Sequence, residues 1–254
     1  MKISFIIPAY NEKLYLPKCL ASVFKMAAKA GLKQGKDFEI IVVDNASTDG
    51  TAQVAQNFKG VKVVRENRKS LTFARQAGFE NSNGELIANI DADTILTENW
   101  IEFVLKEFRN KNLAGLSGPQ IFYELGRITN LGIKFFYKMG MLSYHLSRFF
   151  KFGSLLQGGN CVVRRSALEK IGGFNRDIAF YGEDTDLARR LSKVGDVRFT
   201  LKMPIYASAR RIQQEGRLTM AMRYALNYLS MLLLNKPFTK DFIDVRRAVA
   251  EKKR

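Results

Sequence analysis

Two aspartates separated by one small residue end an apolar run in this sequence. Residues 86–93 read Leu-Ile-Ala-Asn-Ile-Asp-Ala-Asp and follow Gly84. The run predicts a buried strand that delivers Asp91 and Asp93 to its carboxyl end, where open α/β sheets bind their ligands. Two carboxylates at this spacing can share a divalent cation and leave its other positions to water and substrate phosphates. The alternative is a solvated turn or a helix cap at Asp93, because the motif is frequent by chance.

The elements that must position these carboxylates alternate between strands and helices. The pattern predicts strands at residues 2–7, 38–43, 61–65 and 86–93, with helices at 14–27, 51–58 and 71–81 between them. This alternation is typical of a parallel sheet with right-handed crossovers. The pattern further predicts helices at 98–110, 166–171, 183–194 and 217–234, and strands at 113–117 and 161–163. The fold class is therefore α/β, with helices flanking the sheet.

The composition describes a globular and strongly basic chain. It has 254 residues, 46% of them hydrophobic, and a net charge of +17, which suits nucleic acid, an anionic membrane or a polyanionic substrate. Cys19 and Cys161 have no metal-ligand spacing, so we expect reduced thiols and a cytoplasmic location. The first apolar run, at residues 3–7, is too short for a signal peptide, and no apolar stretch reaches about eighteen residues. We therefore expect no spanning helix.

Polar residues also follow the first two strands. Asp44 ends the second strand and can accept hydrogen bonds from a nucleobase or a ribose. Pro8, Tyr10 and Glu12 would line the loop after the first strand. The alternative for Asp44 is a turn-stabilising side chain. Because no Gly-x-Gly-x-x-Gly follows the first strand, a NAD or FAD site is not expected.

Several short motifs, in this order, resemble glycosyltransferase family 2, which has the GT-A fold. They lie at residues 7–12, 42–51, 74–78, 91–93, 158–160, 172–175 and 182–187. The resemblance implies a Rossmann-like, mostly parallel sheet and a metal-dependent enzyme that moves a sugar, most simply a hexose, from a nucleotide donor to an acceptor. It also implies one GT-A domain at 1–210, with a nucleotide-binding half at 1–93 and an acceptor half at 94–210. Residues 211–254 would form a basic helical extension.

On the donor side, the resemblance implies a role for each matching residue. Asp44 would contact the base, and Glu12 would lie near the base or ribose. Asp91 would contact the ribose and donor sugar, and Asp93 would bind Mn²⁺ or Mg²⁺ together with Asp91. Arg75 would lie beside the nucleotide, where a cation also balances the carboxylates. The donor would be a UDP-, GDP- or dTDP-sugar.

On the acceptor side, Asp184 matches the family's general base, and Glu183 would position the acceptor. Gly159 and Asn160 fall in a motif of the acceptor half. An acceptor hydroxyl is a poor nucleophile and needs a carboxylate within hydrogen-bond reach, and one base acting directly would invert the sugar's configuration. Repulsion within the cluster that includes Asp186 would raise one carboxyl pKa, which suits a base. The alternative is an acidic helix start.

Basic residues near the end of the matched region could stabilise the leaving group. Arg210 and Arg211 are expected on a mobile loop, from which they could close over the pyrophosphate with bidentate contacts. The alternative is a solvated basic loop. For His145, the one histidine, we expect no role, with metal ligation as the less favoured alternative.

The remaining basic and apolar segments indicate a membrane partner. Residues 134–138 and 148–152 mix aromatic and cationic side chains, and the apolar helix at 218–234 precedes a basic end at 252–254. Such segments suit anionic lipid headgroups, so we expect peripheral attachment at the inner face of the cell membrane. The alternative is packing on the core.

The family resemblance and the expected membrane partner together suggest an acceptor and a class of protein. The acceptor would be lipid-linked or a saccharide, in envelope or polysaccharide biosynthesis. A module that binds a nucleotide-sugar or a lipid without transfer is the main alternative. Nucleic-acid binding is not expected, because the recognisable motifs are missing and the carboxylates would repel phosphates.

Overall fold

The computed structural model describes residues 1–126, 129–135, 137–138, 156–178, 180–234, 236–239 and 244. His145, the segment 148–152 and the basic end at 252–254 lie outside these residues, so the expectations for them stay predictions. The strands are β1 (Ile3–Ala9), β2 (Phe38–Asp44), β3 (Val61–Arg65), β4 (Leu86–Ile90), β5 (Thr94–Leu96), β6 (Leu113–Ser117), β7 (Gln120–Phe122), β8 (Asn160–Arg164), β9 (Asp196–Phe199) and β10 (Ile205–Ala207). The helices are α1 (Leu16–Lys29), α2 (Thr51–Gln56), α3 (Leu71–Glu80), α4 (Trp100–Glu107), α5 (129–135), α6 (Arg165–Lys170), α7 (Glu183–Leu191), α8 (Arg210–Glu215) and α9 (Arg217–Leu234).

Seven strands form the central sheet, in the order β3-β2-β1-β4-β8-β6-β9. Strand β8 is antiparallel to both of its neighbours, and the other neighbouring pairs are parallel. A second sheet has the order β5-β10-β7. The predicted α/β class with a mostly parallel sheet is confirmed.

Helices cover both faces of the central sheet. In β1, Ile3, Phe5 and Ile7 pack in one buried cluster with α1 and α4, and Ile6 packs in a second cluster with α3, α6 and α7. Side chains alternate across a strand, so apolar residues at successive positions serve both faces. This explains why the central strands are continuous apolar runs in the sequence.

Two strand ends differ from the sequence prediction. The fourth strand ends at Ile90, not at residue 93, and the next strand, β5, belongs to the second sheet. A tight turn separates the two strands, because Thr94 N (3.1 Å) and Oγ1 (2.7 Å) both donate to Asp91 O. Strand β1 continues through Pro8 to Ala9, since its pairing with β4 ends at Ile6 and Pro8 needs no ladder bond on that side.

Two further expectations concern the cysteines and membrane-spanning helices. Cys19 and Cys161 are free and buried, as expected for reduced thiols. Across the ranges that the structure describes, none of the helices has both the length and the apolar character needed to cross a bilayer.

Candidate active site

Three neighbouring parallel strands bring the predicted donor residues to one edge of the central sheet. Strands β2, β1 and β4 are adjacent and parallel, so their carboxyl ends meet. Asp44 is the last residue of β2, Glu12 follows the end of β1, and Asp91 directly follows β4. Ligands bind at this edge in open α/β sheets. Three carboxylates from distant parts of the chain therefore share one edge.

The loops after β1 and β2 contact each other at this edge, where Asn11 N donates to Ser47 Oγ at 3.0 Å. Pro8 is the second-last residue of β1, and Tyr10 lies just beyond it, with Lys69 Nζ 4.0 Å from the centre of its ring. Asp44 is buried, and its Oδ1 accepts a hydrogen bond from Ser47 N at 3.2 Å. The turn-stabilising interaction of Asp44 is thus present, and its contact with a base stays a prediction.

The first ion-pair cluster joins Arg210 to Glu12 and Asp93. Arg210 Nη2 contacts Glu12 Oε1 and lies 3.0 Å from Asp93 Oδ2. Its guanidinium also lies 4.5 Å from the centre of the Tyr15 ring. Burial opposes the charge of Arg210, but the carboxylates of Asp93 and Glu12 outweigh it and raise its pKa. Arg210 therefore stays cationic directly beside the predicted metal ligand.

The two neighbouring arginines lie in a helix and not on the predicted loop. They are the first two residues of helix α8, where consecutive side chains point about 100° apart. Arg211 Nη1 binds Glu215 Oε1 at 2.7 Å, and its guanidinium lies 4.7 Å from the centre of the Phe180 ring. The loop expectation is wrong because the residues are helical, and only Arg210 is placed against the carboxylates that follow β1 and β4.

A residue that sequence reasoning missed supports the start of α8. Glu124 accepts hydrogen bonds from Ser208 Oγ (2.8 Å) and from the backbone N–H of Ala209 (2.5 Å). These contacts anchor the chain immediately before Arg210. The sequence gives no local signal for them, because Glu124 lies 84 residues before Ser208.

The second cluster joins Arg75 to Asp91 and Glu183. Arg75 is only 2% exposed; its Nη1 contacts Glu183 Oε1 and its Nη2 lies 3.5 Å from Asp91 Oδ1. Burial opposes the charge of Arg75, but Glu183 and Asp91 outweigh it and raise its pKa. Burial raises the pKa of Glu183 while the Arg75 cation opposes that shift. Arg75 therefore connects the donor edge to the start of α7.

Two glycines allow the backbone to cross over this second cluster. A Cβ atom on Gly159 would lie 1.8 Å from Asp91 Oδ2, and one on Gly158 would lie 2.3 Å from Glu183 Oε1. Any side chain at these positions would displace the carboxylates. The backbone before β8 therefore lies so close to charged side chains that both positions require glycine. Acceptor binding by Gly159 stays a prediction.

Asn160 holds three parts of the chain together. Its buried side chain accepts a hydrogen bond from Trp100 Nε1 (3.0 Å) and donates to Pro119 O (3.2 Å) and Met203 O (2.8 Å). These bonds use both amide hydrogens. The side chain therefore joins these three parts of the chain, and its contact with an acceptor stays a prediction.

The three acidic residues at the start of α7 have different partners. Glu183 pairs with Arg75, and Asp186 Oδ2 binds Arg190 Nε at 2.7 Å. Asp184 is half-buried, and its Oδ1 accepts from Thr185 N at 2.8 Å and Thr185 Oγ1 at 3.4 Å. Burial raises the pKa of Asp184, which strengthens it as a proton acceptor. Asp184 is therefore the carboxylate of this group best suited to act as a base.

Asp91 and Asp93 could hold a divalent cation. Their side chains are 36% and 19% exposed, and carboxylate oxygens are the ligands that Mg²⁺ and Mn²⁺ prefer. No group of three or more His, Cys, Asp or Glu able to hold a metal occurs within the described part of the chain. Substrate phosphates and water are ligands that such a cation accepts, and Arg210, 3.0 Å from Asp93, would have to share or release that carboxylate. On this chemistry the residues fit a cation bound together with its substrate.

The sequence of the chain is similar to those of known glycosyltransferases. The family model "Glycosyl transferase family 2" matches residues 4–172. The probable glycosyltransferase YdaM of Bacillus subtilis is 29% identical over 217 residues, which cover 78% of this chain and 48% of that protein. Glycosyltransferase AglE of Haloferax volcanii is 32% identical over 105 residues, which cover 39% of this chain and 33% of that protein. The first curated relatives are matched over only 15% to 48% of their own length.

Solved structures share the fold. The mannosyltransferase PcManGT from Pyrobaculum calidifontis, in complex with GDP-Man and Mn²⁺, has a TM-score of 0.69 at 17% identity, over 98% of this chain and 69% of that chain. Residues 1–349 of S. aureus TarS have a TM-score of 0.62 at 16% identity, over 97% of this chain and 77% of that chain. At these identities the structures establish the GT-A fold alone.

Proposed function

The chain belongs to glycosyl transferase family 2, and we propose that it transfers a sugar from a nucleotide-sugar donor to an acceptor hydroxyl. The observation that carries the proposal is the link through Arg75 between Asp91 at the donor edge and Glu183 beside Asp184. Solved proteins of this fold are described with GDP-Man, UDP and UDP-GlcNAc. A nucleotide-sugar is therefore the donor class that we propose here.

The proposed donor site uses the carboxyl ends of β1, β2 and β4. Asp44 would bind the base, Glu12 would lie near the base or ribose, and Asp91 would bind the ribose and the donor sugar. Pro8 and Tyr10 would form the wall of the base pocket. The domain division belongs to the same proposal: a donor half at 1–93, an acceptor half at 94–210 and an extension at 211–254.

We propose that the leaving diphosphate binds between Asp93 and Arg210. Mn²⁺ or Mg²⁺ bound by Asp91 and Asp93 would neutralise charge that develops on the leaving group. The solved mannosyltransferase with Mn²⁺ supports a divalent ion. Arg210 lies 3.0 Å from Asp93, so a small movement of its guanidinium would let it donate to the diphosphate. Its pairing with Glu12 orients it beside Asp93.

We propose that Asp184 removes the proton of the acceptor hydroxyl. As that oxygen bonds to the anomeric carbon, the bond from this carbon to the diphosphate oxygen breaks, and the diphosphate leaves with the bonding electrons. A single displacement of this kind inverts the anomeric configuration. Burial raises the pKa of Asp184, which suits this role. Glu183, held by Arg75, would position the acceptor, a hexose-accepting saccharide or lipid-linked sugar of envelope or polysaccharide biosynthesis.

A donor panel tests the proposal. The protein would be incubated with Mn²⁺, UDP-, GDP- and dTDP-hexoses and a mixture of saccharide and lipid-linked acceptors, and release of nucleoside diphosphate would be measured. We expect acceptor-dependent release from one base class and loss of that release when Asp93→Ala is tested. Binding of a donor without any turnover would overturn the proposal and indicate a module that binds nucleotide-sugar without transfer.

A further inference from the structure

Helix α9 exposes a continuous apolar stripe along its outer face. Its large residues recur every three or four positions, so they lie on one side of the helix, and they are 42% to 78% exposed. They are Leu218, Met222, Leu226, Leu229 and Leu233. Ala221 and Ala225 lie on the same side by this spacing, and no charged residue does. We call this face the α9 stripe.

The opposite face of α9 is fixed to the rest of the molecule. Met220, Asn227 and Met231 are buried, and a Cβ on Gly182 would lie 2.5 Å from Met231 Cγ. The Asn227 side chain donates to Thr239 Oγ1 at 2.8 Å and accepts from Thr239 N at 3.0 Å. Because one face is held in this way, the helix cannot rotate to bury the α9 stripe.

A second apolar pair lies in α5, next in space to the start of α9. Leu131 and Phe135 are one helical turn apart, and both are more than 60% exposed. Gly126, three residues before α5, and Arg217, the first residue of α9, line the same surface cleft. The two exposed apolar surfaces therefore begin at neighbouring points.

The two chain segments that carry these surfaces contain cations and no acidic residues. The sequence has no Asp or Glu between Glu124 and Glu169, and none between Glu215 and Asp241. Described cations near these surfaces in the sequence are Lys134, Lys138, Arg217, Arg223 and Lys236, of which Arg223 also pairs with Glu215. We propose that the α9 stripe docks on an anionic membrane, with its leucines at the headgroup boundary and the surrounding cations near acidic lipids.

Charge favours this occupant over a second copy of the chain. Two copies would bring together segments without acidic residues on chains that each carry a net charge of +17, and like charges disfavour that contact. An anionic bilayer has the complementary charge. Docking through α9 does not require the sugar transfer proposed above, so either can fail without the other. It would bring α7, against which α9 packs, close to the lipid surface.

Flotation with vesicles tests the α9 stripe. The full chain would be mixed at low salt with vesicles of phosphatidylcholine and phosphatidylglycerol in equal parts, and with pure phosphatidylcholine. We expect flotation with the anionic vesicles, much less with the neutral ones, and release at high salt. The double variant Leu226→Ser/Leu229→Ser should lose at least about tenfold in vesicle affinity, since two buried leucine contacts are removed.

The control is Leu14→Ser, which changes a leucine outside α9 that is more exposed (61%) than Leu226 (42%) and Leu229 (52%) and should float like the wild type. Circular dichroism melting would show that both variants fold. Failure of the wild type to float at low salt would overturn the proposal, as would unchanged flotation of the double variant. A wild-type dimer in light scattering that the double variant converts to a monomer, with no vesicle binding by either, would instead assign the stripe to a second copy.

Discussion

Replacing Arg75 with methionine should remove the cation that joins the two halves of the site. Arg75 is 2% exposed and contacts Glu183, which is itself buried, and Asp91, which is partly open to solvent. In the variant, Asp91 can be hydrated, but Glu183 is left as a buried carboxylate without its cation. Breaking a buried ion pair in this way costs about 3–5 kcal/mol. For a chain of this length the melting temperature should fall by roughly 10 °C.

The loss of stability in Arg75→Met should depend on pH. Burial already raises the pKa of Glu183, and removing Arg75 takes away the charge that opposes this shift. A carboxyl with a higher pKa in the folded protein than in the unfolded chain binds its proton more tightly when folded. The ordinary pKa of a glutamate, which applies to the unfolded chain, is 4.5. Stability therefore decreases as the pH rises from this value through the raised pKa of Glu183 in the folded protein. The difference between variant and wild type should be smaller at about pH 5.5 than at about pH 8.

Urea unfolding at these two pH values measures both effects. Arg198→Met is the matched control, because Arg198 forms a more exposed ion pair with Glu107 at 2.9 Å and should cost less than about 1 kcal/mol. Adding Glu183→Gln to Arg75→Met should recover part of the lost stability, since it removes the buried charge. The reasoning is refuted if Arg75→Met costs no more than the control, or if its cost is the same at both pH values.

Four further predictions follow from the same geometry. Gly159→Ala should weaken donor binding in calorimetry by at least about tenfold, because the new Cβ would overlap the carboxylate beside it, whereas Gly126→Ala, with open space around it, should have no effect. Asn160→Ala should lower the free energy of unfolding by about 3 kcal/mol, since three buried hydrogen bonds are lost; a change below about 1 kcal/mol would contradict this. Arg210→Met should tighten Mn²⁺ binding without nucleotide, because a competing cation is removed, and an unchanged affinity in calorimetry would count against that competition. The transfer rate should decrease as pH falls through the raised pKa of Asp184, at a pH above the ordinary aspartate range, and a rate profile flat across that range would argue against this base.

The central strands could be predicted from the sequence because their burial leaves a simple pattern. Helices cover both faces of β1 and β4, so the positions of these strands are apolar or small, with buried Asn89 as the exception. Asp91 and Asp93 break this pattern at the end of β4, which locates them at the ligand-binding edge without any structure. Parallel pairing then implies that Asp44 and Glu12 are near neighbours.

The contacts that assemble the site could not be predicted in the same way. Glu12 and Arg210 are 198 residues apart, and no local pattern indicates that their side chains meet. Strands β5, β7 and β10 have three residues each, too few for a periodic signal. Helix α8, which follows β10, has only six residues, so it too is short for a periodic signal, and Arg210 and Arg211 were expected on a loop.

The central claim is that Asp184 drives bond formation while separate residues hold the donor. It is tested most directly by comparing Asp184→Asn with the wild type in donor affinity and in release of nucleoside diphosphate, using the donor that the panel identifies. Asp177→Asn, an exposed residue in the loop before α7, is the matched control and should behave like the wild type. We predict that Asp184→Asn binds the donor with unchanged affinity and loses at least about a hundredfold in transfer rate. Transfer at the wild-type rate by this variant would contradict the account.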